Sequence, residues 1–243
     1  MIYSSKQNQL IKKIYSLKDK KGRKEEGQYV VEGLKMVNEA IKYNQKIALI
    51  VKAESFNLEL LPSSSPEIIV TDSVFSYLSD EKTPQGVLAV IELENKPLKA
   101  PTKNALLLDG IQDPGNIGTI IRTAAAAGYQ DIYLISCVDP YSPKAVRASM
   151  SGIYFVNIYK GDYNEVFDAI KNLDLIVADM NGENVFDYQV KNDYCIAVGN
   201  EANGVSQIVK DKANVVLSIP MSENVESLNA AVAISLMMYK LKY

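Results

Sequence analysis

The stretch LLLDGIQDPGNIGTIIRTAAAAG, residues 106–128, decides how this chain is read. Three leucines run into a turn of Asp, Pro, Gly and Asn, and an Ala-rich segment with Arg122 near its middle follows. Proline fixes φ and glycine tolerates positive φ, so Asp-Pro-Gly turns the chain for a plain steric reason. Asn116 suits the N-cap of the helix that starts there. A strand, a tight turn and a helix in that order resemble a nucleotide-binding loop. The stretch nevertheless lacks both the Gly-Lys-Ser/Thr loop and the three-glycine dinucleotide pattern.

Downstream the same alternation continues. Apolar runs at 105–110, 131–136, 154–159, 174–179, 194–199 and 215–220 read as strands. Helical patterns at 117–127, 143–150, 164–173, 205–210 and about 227–242 separate them. Continuous apolar strands parted by helices predict a parallel α/β sheet covered on both faces. In such sheets ligands bind beyond the carboxyl ends of the strands. Three loops are thereby singled out, after LLLDG, after IAVG and after LSIP.

Upstream, QYVVEG, KIALIV, EIIVTD and QGVLAVIE read as strands, and 34–44 has helical spacing with Leu34, Val37, Ala40 and Ile41 on one face. This predicts a small α/β domain at 1–95, a polar linker with two prolines at 96–104, and the parallel-sheet domain at 105–243. The first 24 residues carry eight Lys/Arg against Asp19 alone, a net +7 that leaves −10 for the rest of a chain totalling −3. Such a block suits a phosphate backbone, with up to eight cationic contacts; the alternative is a solvated, partly disordered arm.

Composition narrows the chemistry. The 243 residues contain no histidine, which removes the commonest general base and metal ligand and every triad built on it. With Cys137 and Cys195 as the only cysteines, both in apolar strand-like segments, no zinc site or other metal is expected and a reduced, cytoplasmic setting is. The longest apolar run, 230–238, is too short to span a bilayer, and the N-terminus lacks a signal peptide's apolar segment.

The second loop, GNEANG at 199–204, brackets Glu201 and two asparagines with glycines that permit close approach of a ligand. In the third, IPMSENVESLNAA at 219–231, Pro220 ends the strand, and Ser227 and Asn229 open a helix that is apolar nearly all round. Each loop taken alone is also explained as a turn and a helix start.

Together and in this order the three loops resemble the SpoU (TrmH) family of RNA 2′-O-ribose methyltransferases. The first family motif is matched by Asn116, Gly118 and Arg122, and the second by Gly199, Glu201 and Gly204. The third is matched by Ile219, Pro220, Met221, Ser227, Leu228 and Asn229. KAVRASMSGIYF at 144–155 is similar to the segment between the family's first two motifs, and the N-terminal part resembles its ribosomal-protein-like substrate domain. The chain departs from the pattern at SENV, 222–225, where family members usually carry a glycine.

The resemblance implies a SPOUT fold with a trefoil knot, a homodimer, S-adenosyl-L-methionine as cofactor and RNA as partner, ribosomal RNA ahead of transfer RNA. It assigns catalysis to Asn116, Arg122, Glu201, Ser227 and Asn229, and the cofactor to Gly199, Ile219, Met221 and Leu228. An arginine is an awkward base, so Arg122 is expected to clamp the target phosphate and the oxygen as it gains charge. Glu201, Ser227 and Asn229 are expected to orient the hydroxyl and relay its proton. A non-catalytic RNA-binding protein and a nucleotide-dependent enzyme on a small molecule are the rival readings. Neither a membrane nor a metal is expected among the partners.

Overall fold

The computed structural model describes residues 2–94 and 96–243, so Met1 and Asn95, at the edges of the expected N-terminal domain, lie outside the described residues. Eleven strands and nine α-helices are described, in two compact units. One contains Met1–Asn95 with Tyr141–Tyr154, and the other Lys96–Pro140 with Phe155–Tyr243.

In the first unit the chain runs β1 (Ile2–Tyr3), α1 (Gln9–Ser16), α2 (Lys20–Glu26), β2 (Gln28–Glu32), α3 (Leu34–Lys42), β3 (Ile47–Ala53), β4 (Glu67–Val70), α4 (Asp72–Leu78) and β5 (Val87–Glu92). The five strands form a mixed sheet in the order β1-β4-β3-β5-β2. β2 and β3 pair antiparallel to β5, while β4 runs parallel to β3 and β1.

The basic N-terminal segment is not a disordered arm. Ile11, Ile14 and Leu17 are almost fully buried and join Val51, Val70, Phe75 and Leu88 in one apolar core. Spacing of three residues puts these side chains on one face of α1, and burying each contributes roughly 1.5–3 kcal/mol. Nor are all eight cations available to phosphate. Arg23 is 3% exposed and its Nη1 donates to Leu17 O at 2.7 Å and Lys18 O at 2.8 Å, capping the carbonyl end of α1. Lys18 donates to Tyr77 O and Ser79 O. Six lysines, Lys6, Lys12, Lys13, Lys20, Lys21 and Lys24, remain exposed.

The second unit contains β6 (Ala105–Asp109), α5 (Pro114–Ala127) and β7 (Asp131–Ile135). The chain then passes through α6 (Pro143–Ser149) and a 3-10 turn (Met150–Tyr154), both packed with the first unit. It resumes with β8 (Asn157–Lys160), α7 (Tyr163–Ile170), β9 (Asp174–Asn184), β10 (Tyr194–Gly199), α8 (Gln207–Lys210), β11 (Val215–Ser218) and α9 (Ala230–Lys242). The six strands form one sheet, every pair parallel, in the order β11-β9-β10-β6-β7-β8.

The alternation expected from the sequence is therefore present, with shifted edges. The strand expected at 154–159 begins at Asn157 because Tyr154 closes the 3-10 turn. β9 extends beyond 179 to Asn184, and its pairing with β11 jumps in register between Val216 and Leu217. The last helix begins at Ala230 rather than 227.

Helices cover both faces of this sheet. Leu107, Tyr133, Val177 and Ala197 point to a core shared with Val166 and Ile170 of α7, while α9 packs against α5 and β10. Cys195 is fully buried and Cys137 half-buried, both as free thiols, and desolvation pushes the Cys137 thiol up to about 11. Among the described residues no helix is long and apolar enough to cross a membrane.

Candidate active site

Strand order places the site. From β6 the sheet continues through β7 to β8 on one side and through β10 to β9 and β11 on the other. β6 and β10 pair in register from Ala105↔Cys195 to Asp109↔Gly199, so their loops leave the sheet side by side where the connections diverge. Such a switch point is where open α/β sheets bind ligands. The first and second sequence motifs are those two loops.

At the first loop the N-cap is Asp113, not Asn116: Asp113 Oδ1 accepts from Asn116 N at 3.0 Å, and Pro114 takes the first helical position. Asn116 is the third helical residue, and its side-chain amide is free for other work. Its Nδ2 donates to Glu201 Oε1 at 2.8 Å, and its Oδ1 accepts from Asn229 Nδ2 at 2.9 Å. Asn229 is the N-cap of α9, its Oδ1 accepting from Ala231 N and Val232 N. One chain of hydrogen bonds thus joins residues that are 85 and 113 positions apart in sequence.

Glu201 is the hub. Beyond Asn116 it accepts from Gln112 N and Asp113 N, each at 3.3 Å. Partial desolvation pushes its carboxyl up, but the bonds from Asn116, Gln112 and Asp113 outweigh this and hold it below the usual carboxylate range. It is therefore a fixed anion at neutral pH.

The turn that carries Glu201 is shaped by its glycines. Asn200 and Gly204 exchange backbone bonds at 2.9 and 2.8 Å, and Gly204 sits at φ +66°. A Cβ on Gly199 would lie 2.1 Å from the Gly204 carbonyl and Val205 N, so only glycine fits there. Three polar residues that the sequence motifs did not single out brace the site, Asn200 and Asp109 between the two loops and Gln112 between the first loop and the end of β7. Asn200 Nδ2 donates to Gly110 O at 2.9 Å. Gln112 Nε2 bridges Gly110 O and Ser136 O. Asp109, 4% exposed, accepts from Ser206 N at 2.7 Å and Tyr163 OH at 3.0 Å. A charged residue closing an apolar strand was the available signal for Asp109.

Two expected residues do not join the cluster. Arg122 is exposed and has no hydrogen-bond or ion-pair partner among the described residues. It lies six residues beyond Asn116, about 120° around α5 and about 9 Å along it. Ser227 is likewise exposed and unbonded among the described residues.

The third loop suits the flat, apolar and hydrogen-bonding part of a ligand. Ile219, Met221 and Leu228 are half-buried, giving apolar walls. Of the peptide N–H groups from Met221 to Leu228, only that of Val225 is hydrogen-bonded among the described residues, to Ser222 O at 3.1 Å. Unpaired backbone groups beside aliphatic side chains fit the edge and face of an adenine ring. No group of three or more His, Cys, Asp or Glu able to hold a metal ion occurs among the described residues.

Comparison with known proteins agrees with this geometry. The model of the SpoU rRNA Methylase family matches residues 103–239, and that of the MRM3-like substrate binding domain matches residues 8–89. The 23S rRNA (guanosine(2553)-2′-O)-methyltransferase RlmP of Bacillus subtilis is 30% identical, the match covering 98% of each chain. Among solved structures, the AdoMet-bound rRNA methyltransferase from Sinorhizobium meliloti superposes with a TM-score of 0.89 at 26% identity, covering 99% of this chain and 96% of that one. The SpoU methyltransferase AviRb from Streptomyces viridochromogenes, in complex with AdoMet, gives 0.89 at 25% identity over 96% of this chain and 97% of that one. With three motif loops bonded together at the switch point and a family model spanning more than half its length, this chain belongs to the SpoU rRNA methylase family.

Proposed function

We propose that the protein transfers the methyl group of S-adenosylmethionine to a ribose 2′-hydroxyl of ribosomal RNA. The observation that carries this reading is the Asn229–Asn116–Glu201 chain, which locks all three motif loops into one polar site. The similarity to RlmP, an rRNA 2′-O-methyltransferase by name, supports ribosomal RNA over transfer RNA as the target class.

Gly199, Ile219, Met221 and Leu228 would hold S-adenosylmethionine, which would supply an electrophilic methyl on its sulfonium. The 2′-oxygen must approach that carbon in line and lose its proton, so the residues have two tasks, placement and charge control. Glu201, held ionised, is a poor proton acceptor; it acts as the fixed anion that orients Asn116 and the first loop. Asn116 and Asn229 set the geometry of the pocket. Arg122, exposed and unpaired, is free to grip the target phosphate bidentately and to stabilise negative charge growing on the attacking oxygen. Ser227, also free, is the hydroxyl that passes the proton to water.

Further features belong to the same reading. Val232, Leu236, Tyr239 and Tyr243 are 47, 43, 46 and 84% exposed along one side of α9, an apolar stripe suited to a second copy of the chain. A homodimer assembled on it is proposed. A trefoil knot is also proposed, on the ground that α9 follows the edge strand β11 yet returns to lie on α5 and β10. Residues 1–95, with which 141–154 pack, are taken as the RNA-recognition domain, 96–104 as linker and the rest of 105–243 as the methyl-transfer domain, acting in the cytoplasm where the ribosomal substrate is found.

Calorimetry with S-adenosylhomocysteine, followed by mass mapping of ribose methylation in ribosomal RNA from a deletion strain, tests the reading. Saturable binding and one missing 2′-O-methyl group are expected. No binding at millimolar concentration would overturn it.

A further inference from the structure

The N-terminal unit carries a surface feature that the methyl-transfer site does not explain. The rings of Tyr15 on α1 and Tyr77 on α4 are stacked face to face, centroids 4.2 Å apart and planes within 4°. Tyr15 is 37% exposed and Tyr77 half-buried. Lys6 Nζ sits over the Tyr77 ring at 5.2 Å, and Lys18 Nζ over the Tyr15 ring at 5.0 Å. Because Ile11 and Ile14 face the core, Lys12 and Tyr15, three apart, share the outward side of α1.

The pair is mounted rigidly. Lys18 Nζ donates to Tyr77 O at 3.1 Å and Ser79 O at 2.7 Å. Glu32 accepts from the Ser79 hydroxyl and, at 3.0 Å, from Asp80 N. The turn after α4 is thus tied both to the turn after α1 and to β2. Lys6, in contrast, is exposed and held only by the ring, and neither Lys6 nor Lys12 has a carboxylate partner among the described residues.

We propose that this face docks a single-stranded segment of the substrate RNA, one unpaired base stacking on the Tyr15–Tyr77 pair while Lys6 and Lys12 meet the adjoining phosphates. The proposal rests on the RNA-methylation reading and says where and by what chemistry the substrate is gripped. Aromatic platforms flanked by cations are how proteins hold unpaired nucleotides. A duplex or an acidic peptide uses the cations but leaves the ring faces idle. Lys6 is the side chain that the base displaces, and its released ammonium then finds a phosphate.

Deleting the segment would remove Ile11, Ile14 and Leu17 from the core, so the test uses point variants of the full chain. Anisotropy titrations employ an unstructured 12-nucleotide RNA, and turnover employs ribosomal RNA from a deletion strain. Tyr77→Ala or Tyr15→Ala is expected to weaken oligonucleotide binding about tenfold. Tyr77→Phe should bind as wild type, since the ring face is kept. The double variant Lys6→Ala, Lys12→Ala should flatten the salt dependence by about one to two phosphate contacts. In turnover the alanine variants should raise KM for RNA and leave kcat and S-adenosylhomocysteine affinity unchanged.

Wild-type RNA affinity in both tyrosine-to-alanine variants, with their thermal midpoints preserved, overturns the proposal. So does a face on which only the lysine variant weakens binding and polyglutamate competes as well as RNA, because that describes a non-specific polyanion surface. A wild-type protein that binds the oligonucleotide through these residues but methylates no ribosomal RNA would leave the docking face standing and sink the functional reading instead.

Discussion

At the scale of single residues, Arg122 and Glu201 carry charges of opposite sign in opposite settings. Arg122 is exposed without a partner, whereas Glu201 is held by Asn116 and two peptide N–H groups. If Arg122 is the clamp, Arg122→Lys keeps a charge but loses the planar fork and should retain partial single-turnover activity. Arg122→Ala should fall about 10²–10³-fold, with S-adenosylhomocysteine binding intact. Wild-type rates in the alanine variant would remove Arg122 from the mechanism. For Glu201 the folded carboxyl lies below its ordinary value of about 4.5, so its ordering of the loops is complete above that value. The contribution is lost only as pH falls through the lower folded value. Cofactor affinity should therefore show no Glu201-dependent limb between pH 6 and 9. Glu201→Gln turns one acceptor oxygen into a donor facing N–H groups, and cofactor affinity should drop about tenfold at pH 7.5. A titration step near neutrality that vanishes in this variant would contradict the assignment.

At the scale of elements, the site depends on how strand ends meet. β10 finishes at Gly199 against the backbone of Gly204 and Val205, with no room for a methyl group. Gly199→Ala must push the turn bearing Glu201 away from the first loop, at a cost of about 1–3 kcal/mol. For a chain of this size that is a fall of a few degrees in thermal midpoint, accompanied by loss of cofactor binding. An unchanged midpoint with normal binding would mean that the turn is not rigid. α5 and α9 make the matching contribution, because Asp113 and Asn229 cap them and leave the Asn116 amide to bridge the two.

At the scale of the whole molecule, the apolar stripe of α9 is the feature a lone chain does not satisfy. Leu236→Glu with Tyr239→Glu places two charges on that face. If the proposed dimer forms on this face, sedimentation should report a dimer for the wild type and monomers for this variant, with helix content by circular dichroism retained and methyl transfer lost. A wild-type protein that sediments as a monomer at micromolar concentration while fully active would refute the dimer.

Much of this was legible in the sequence, and the reasons differ by feature. The parallel sheet was readable because strands buried on both faces must be apolar throughout, as 105–108 and 194–199 are. Absent histidine bounded the chemistry without any coordinates. The three motif loops were visible as polar breaks at strand ends. What only the tertiary structure decided is pairing across long separations. The bond from Asn116 to Asn229 follows from α9 packing on α5, and the supports that buried Asp109 and half-buried Asn200 give follow from β6 and β10 lying side by side; no local pattern encodes either. The N-terminal segment makes the same point in reverse. Its lysine-rich composition left a phosphate-binding block and a free arm as alternatives, but three apolar residues at helical spacing were enough to anchor it in a core, and a core exists only once distant strands have assembled.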